Sequence, residues 1–164
     1  MNSKKLFIWG FLFMSVIGTL LHFVYEWSGN NSIVRLFAPW NESTWEHMKL
    51  LFFPMLALVL FLFFKLPEQS PIPVALSIGT LVGLALIPIL FYTYTGVLGF
   101  SVMAIDIAIF YISVLGAFRI GWFLNDNREL ANRRGLLLTC LVILAILFFI
   151  FSYYPPEIGL FQEP

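Results

Sequence analysis

Apolar residues run along this chain in five long blocks separated by short polar breaks. The blocks fall at about 6–27, 47–65, 73–94, 98–122 and 135–154. A helix of about 20 apolar residues crosses roughly 30 Å of hydrocarbon, so each block is long enough to span a bilayer. No block alternates apolar and polar side chains as a membrane-barrel strand does. The pattern predicts an all-α polytopic membrane helix bundle with five transmembrane helices, forming one membrane domain over 1–164. Lys4 and Lys5 precede the first block as they would a signal peptide. That block is longer than a signal core and lacks a small-residue cleavage site after it, so it reads as a retained helix.

The breaks carry their own signals. Pro67, Pro71 and Pro73 separate the second and third spans, since proline stops one helix and can begin the next. Asn125–Gly135 is the one strongly polar linker, and Pro88 interrupts the hydrogen-bond ladder of the third span. With the N-terminus inside, Lys4, Lys5, Lys65, Arg119, Arg128, Arg133 and Arg134 lie on the inner side, against Arg35 and Lys49 outside. Positive loops stay cytoplasmic. The expected topology is therefore N-terminus cytoplasmic and C-terminus extracellular.

Composition agrees. The 164 residues are 60% hydrophobic and 11% charged, where a soluble domain has about 45–50% and about 25%. Too little charge is present to cover a water-facing surface. Nine basic and nine acidic residues cancel, which leaves no field for nucleic acid. The lone Cys140 excludes a disulfide framework. The partners expected are membrane lipids, a second copy of the chain or another membrane protein.

Against this background the ionisable residues stand out. His22, Glu26, Glu42, Glu46 and His47 all fall near the outer ends of the first two spans. Asp106 lies eight residues past Leu98, a depth of about 12 Å at the helical rise, and His22 lies about 7 Å in from Trp27. Ionisable groups inside spans normally face the bundle interior or a water-filled cavity. His22, Glu26, Glu46, His47 and Asp106 are thus candidate ligands for zinc or another divalent transition metal such as iron or manganese. Glu46 and Asp106 are the candidate catalytic acid–base groups. Plainer roles compete with these. Ser43 and Glu46 fit a capping box, Glu42 suits the positive end of a helix dipole, and Lys49 can pair with either glutamate. Asp106 can hydrogen-bond a Tyr or Ser on a neighbouring helix, and Tyr92, Tyr94, Tyr153 and Tyr154 suit an interfacial belt.

No phosphate-binding glycine loop, H-E-x-x-H pair or G-x-S-x-G elbow is present. The segments His22-Phe-Val-Tyr-Glu-Trp-Ser-Gly29, Pro39-Trp-Asn-Glu-Ser-Thr-Trp-Glu-His-Met-Lys-Leu-Leu-Phe-Phe-Pro54 and Tyr154–Pro164 carry a more specific signal. With them the chain resembles a family of small multi-pass membrane proteins of Gram-positive bacteria, functionally uncharacterised. The resemblance covers essentially the whole chain and implies a bacterial cytoplasmic membrane, but it carries over no catalytic role.

Three functions follow as expectations. A metal-dependent hydrolase acting on lipid or an envelope precursor would use a metal-bound water. A proton- or metal-ion-coupled transporter would use the same groups as a relay, although five spans show no inverted repeat. A non-catalytic membrane subunit would use them to fix helix packing. Ser28–Trp40 and Pro155–Pro164 are expected to fold over the polar cluster at the outer face.

Overall fold

A computed structural model describes residues 3–164. The chain forms α1 (Ser3–Trp27), α2 (Thr44–Lys65), α3 (Ile72–Leu98), α4 (Met103–Leu124) and α5 (Arg134–Tyr153). Short 3-10 turns lie at Val34–Leu36, Arg128–Arg133 and Gly159–Phe161. No strand occurs among the described residues, and five helices are long and apolar enough to cross a membrane.

One boundary differs from expectation in a way that matters. Helix α3 runs on to Leu98 and ends at Gly99, which takes a left-handed φ of 81° and donates its N–H to the Thr95 carbonyl at 2.7 Å. Glycine takes that conformation without the penalty a side chain brings. Helix α4 therefore starts at Met103 rather than Leu98, and Asp106 falls in its first turn instead of deep in the span. There its charge faces the positive end of the helix dipole.

Helices α1 to α4 pack antiparallel in chain order, and α5 returns to pack on α3 and α2. Gly79 and Gly83 of α3 lie against the backbone of Ala117 and Ser113 in α4, and Gly10 and Gly18 of α1 lie against Leu58 and Leu50 of α2. Helix α2 occupies the centre, burying Leu51, Phe52, Met55, Val59 and Leu62. Pro54 sits within it without ending it. The core is one cluster that draws on all five helices.

Helix α1 explains how one histidine reaches the site. Gly10, Met14 and Gly18 are buried and spaced four apart, so they share one face. At Gly18 only a hydrogen fits. A Cβ at Gly18 would come within 2.8 Å of the Leu50 carbonyl and 2.5 Å of the Phe110 ring. His22 is the next residue of that stripe, and the close approach of α1 to α2 carries it toward the start of α2.

Candidate metal centre

The start of α2 is built by a cap. Ser43 has extended backbone, and its hydroxyl accepts the Glu46 N–H at 3.4 Å. In this geometry the residue just before the cap folds back over the fourth helical residue, the arrangement of a hydrophobic staple. Here those residues are Glu42 and His47, so the staple is polar: Glu42 Oε2 lies 3.3 Å from His47 Nε2. The imidazole of His22 stands 5.3 Å from that of His47, ring centre to ring centre. One ligand atom each from His22, Glu42 and His47 lie within 4.8 Å of one another.

The hydrogen bonding fixes a chemical requirement. His47 Nδ1 is 3.0 Å from the Ser43 carbonyl, which only accepts, so Nδ1 carries a proton and donates it. In a neutral ring Nε2 then presents a lone pair to the Glu42 carboxylate at 3.3 Å. Two lone pairs at that distance need a positive charge between them, either a proton or a metal ion. The His47 hydrogen bond holds the Glu42 carboxyl below its ordinary range, against partial burial, which acts the other way. His22 adds a second opening, because its Nδ1 is buried without a hydrogen-bond partner among the described residues. Such an orphan calls for an explanation such as an ion or water.

The trio could hold a metal ion. Ligands about 2.0–2.1 Å from a tetrahedral ion lie about 3.4 Å apart, and the His47–Glu42 separation of 3.3 Å matches that. A backbone carbonyl on the second nitrogen of a metal-bound histidine is the usual orienting contact. With two histidines and one glutamate as its ligands, a tetrahedral ion would keep one coordination position open. The trio is open to solvent, since the side chains of Glu42 and His47 are 67% and 31% exposed.

The other candidate residues lie around this trio. Glu26, one turn beyond His22, is exposed, and its charge acts on His22. Asp106 accepts a hydrogen bond from the Tyr94 hydroxyl, which also accepts the Val102 N–H at 3.0 Å. Its charge reaches His47. Glu46 turns the other way. Lys49 Nζ donates to it at 2.5 Å, and also to the Arg35 carbonyl at 2.9 Å and the Ser152 hydroxyl at 2.6 Å. The Trp40 N–H meets the same Glu46 oxygen at 3.4 Å. Arg35 in turn donates to the Ser152 carbonyl at 2.7 Å and stacks 3.7 Å over Trp40. This network ties the segment before α2 to α2 and α5, two residues upstream of Glu42. Phe37 seats that segment on Phe53 and Phe149, while Phe161 of the tail packs on Trp45. Both segments thus fold onto the same end of the bundle.

A family of unknown function (DUF6512) matches residues 1–164. The chain belongs to this family. No curated protein and no solved structure matches the chain. The geometry of this DUF6512 member is therefore the main guide to its chemistry. What brings Glu42 to the trio is the offset of five between Glu42 and His47 across a Ser cap, rather than the helical offset of four between Glu42 and Glu46.

Proposed function

We propose that this membrane protein binds a divalent transition metal, zinc in the first instance, through His22, His47 and Glu42 at the outer face of a bacterial cytoplasmic membrane. On this reading it is a hydrolase for lipid or a lipid-linked envelope precursor. The observation that carries the proposal is the His47–Glu42 contact, whose facing lone pairs require a cation or a proton. A metal there lowers the pKa of its bound water toward neutrality. Asp106, held by Tyr94 in the first turn of α4, is the group we assign to proton transfer. Glu46 is left out of both roles because Lys49 occupies it.

The interior below the site favours action at one face over transport. From Leu51 to Leu62 the central helix buries only apolar side chains and Pro54. The Ser77 and Thr80 hydroxyls are returned to carbonyls of their own helix at 2.8 Å. No chain of ionisable groups leads from the trio to the other end among the described residues.

Elemental analysis of protein purified in detergent, before and after loading with zinc, iron or manganese, tests the proposal. Wild type should retain about one ion per chain, and His22→Ala and His47→Ala should lose it. Wild type that retains none after loading overturns the metal reading and leaves a proton between Glu42 and His47. Metal-loaded protein that leaves phospholipid esters and lipid-linked phosphodiesters intact, as Asp106→Asn does, overturns the hydrolase reading alone.

A further inference from the structure

At the end of the bundle opposite the histidines, the turn after α2 and the turn before α5 border an open cavity of about 590 Å³. Glu68, Gln69, Arg128, Ala131, Asn132 and Arg134 line it. Arg134 is held in place: it donates to the Phe63 carbonyl at 2.8 Å and its guanidinium sits 4.6 Å over the Phe63 ring. A guanidinium has five N–H donors, so this contact leaves others for the cavity. Arg128 is exposed, and neither it nor Glu68 forms an ion pair among the described residues.

The cavity carries both signs. Two guanidiniums and the amides of Gln69 and Asn132 offer donors suited to a phosphate, for which arginine has a matching fork. The Glu68 carboxylate offers an acceptor for a hydroxyl or ammonium. The cavity also lies at the level where the spans end, beside helix ends whose Phe64 and Phe123 are almost fully exposed. Those rings belong against acyl chains, and headgroups lie at the same level. Basic pockets between spans are suited to phosphate headgroups.

We propose that this cavity binds the headgroup of an anionic glycerophospholipid, with the phosphodiester on Arg128 and Arg134 and the polar end of the headgroup on Glu68. The site is separate from the histidine trio and stands whether or not a metal binds there. A free phosphate ester offers the same chemistry from the aqueous side, and the experiment separates the two sources.

Native mass spectrometry of the full chain, titrated with phosphatidylglycerol, phosphatidylcholine or inorganic phosphate, measures the binding. Phosphatidylglycerol should bind at least about tenfold more tightly than phosphatidylcholine, and Arg128→Gln should remove about that factor. Arg128 is exposed, so this variant keeps the fold. Glu68→Gln should weaken phosphatidylglycerol less than Arg128→Gln does. Displacement of phosphatidylglycerol by millimolar inorganic phosphate assigns the cavity to a soluble phosphate and overturns the lipid assignment. Equal binding of the two lipids, or phosphatidylglycerol binding unchanged by Arg128→Gln, overturns the site.

Discussion

Lys49 donates to Glu46 at 2.5 Å with both side chains withdrawn from solvent, Lys49 completely. Removing two charges from water costs several kcal/mol per ion, and only good geometry with further hydrogen bonds offsets it. Lys49 has these in the Arg35 carbonyl and the Ser152 hydroxyl. Breaking the pair from one side strands a buried charge. Lys49→Met should therefore lower stability by about 3–5 kcal/mol, and Glu46→Leu with Lys49→Met should recover most of that loss. Thermal unfolding in detergent, compared across the two single variants and the double, checks it. A double variant no better than the worse single one removes the ion-pair explanation.

Glu42 sits outside the spans, and its contact with His47 gives a pH dependence of known sign. Its folded-state pKa lies below the ordinary value of 4.5 because His47 hydrogen-bonds its charged form. A depressed carboxylate contributes stability that is fully present above the unfolded pKa and is lost as pH falls through the folded one. Its side chain is 67% exposed, so solvent screening keeps the contribution small. Wild type should melt slightly above Glu42→Gln at pH 6, and the gap should close as pH falls below that ordinary value, the curves merging below the depressed folded pKa. A gap independent of pH rules out the Glu42 charge as its source.

Five spans could be read before any coordinates because hydrocarbon thickness sets their length and composition marks them. The site was legible only in part. His22 and His47 stand out as histidines near span ends, but which face each presents depends on α1 packing at Gly10 and Gly18. The place of Asp106 in the first turn of α4 was not legible, because Gly99, a single left-handed residue, puts the start of α4 five positions later. The plainer reading of Asp106, a hydrogen bond to a neighbouring tyrosine, corresponds to its contact with Tyr94. Glu46 and Lys49 are three apart on one helix. Pairing was foreseeable from that spacing, but complete burial was not, because it depends on Ser28–Trp40 and α5 closing over them.

Helix α3 should tolerate alanine at one glycine and not at another. A Cβ at Gly79 would fall 2.1 Å from the Ala117 carbonyl oxygen, and the obstacle is backbone, which has little room to give. A Cβ at Gly96 meets nothing within 4 Å. Gly79→Ala should force α3 and α4 apart and lower stability by about 1–3 kcal/mol or more. Gly96→Ala should be neutral or slightly stabilising. Unfolding midpoints measured in the same detergent separate the two cases, and equal midpoints would show that α3 and α4 do not approach this closely.

Tyr94 joins the end of α3 to the start of α4 through one hydroxyl, which donates to Asp106 and accepts from the Val102 N–H. Tyr94→Phe leaves both partners without it, in a half-buried place where an unsatisfied group costs about 1–3 kcal/mol. Asp106→Asn keeps an acceptor for the tyrosine and should cost less. Asp106 contacts Tyr94 and lies outside the trio of His22, Glu42 and His47, so neither variant should change the metal content. Unfolding and elemental analysis on the same preparations read both effects. Loss of metal in Asp106→Asn alone would make Asp106 a fourth ligand. The open coordination position, and with it the case for a metal-bound water, would then be gone.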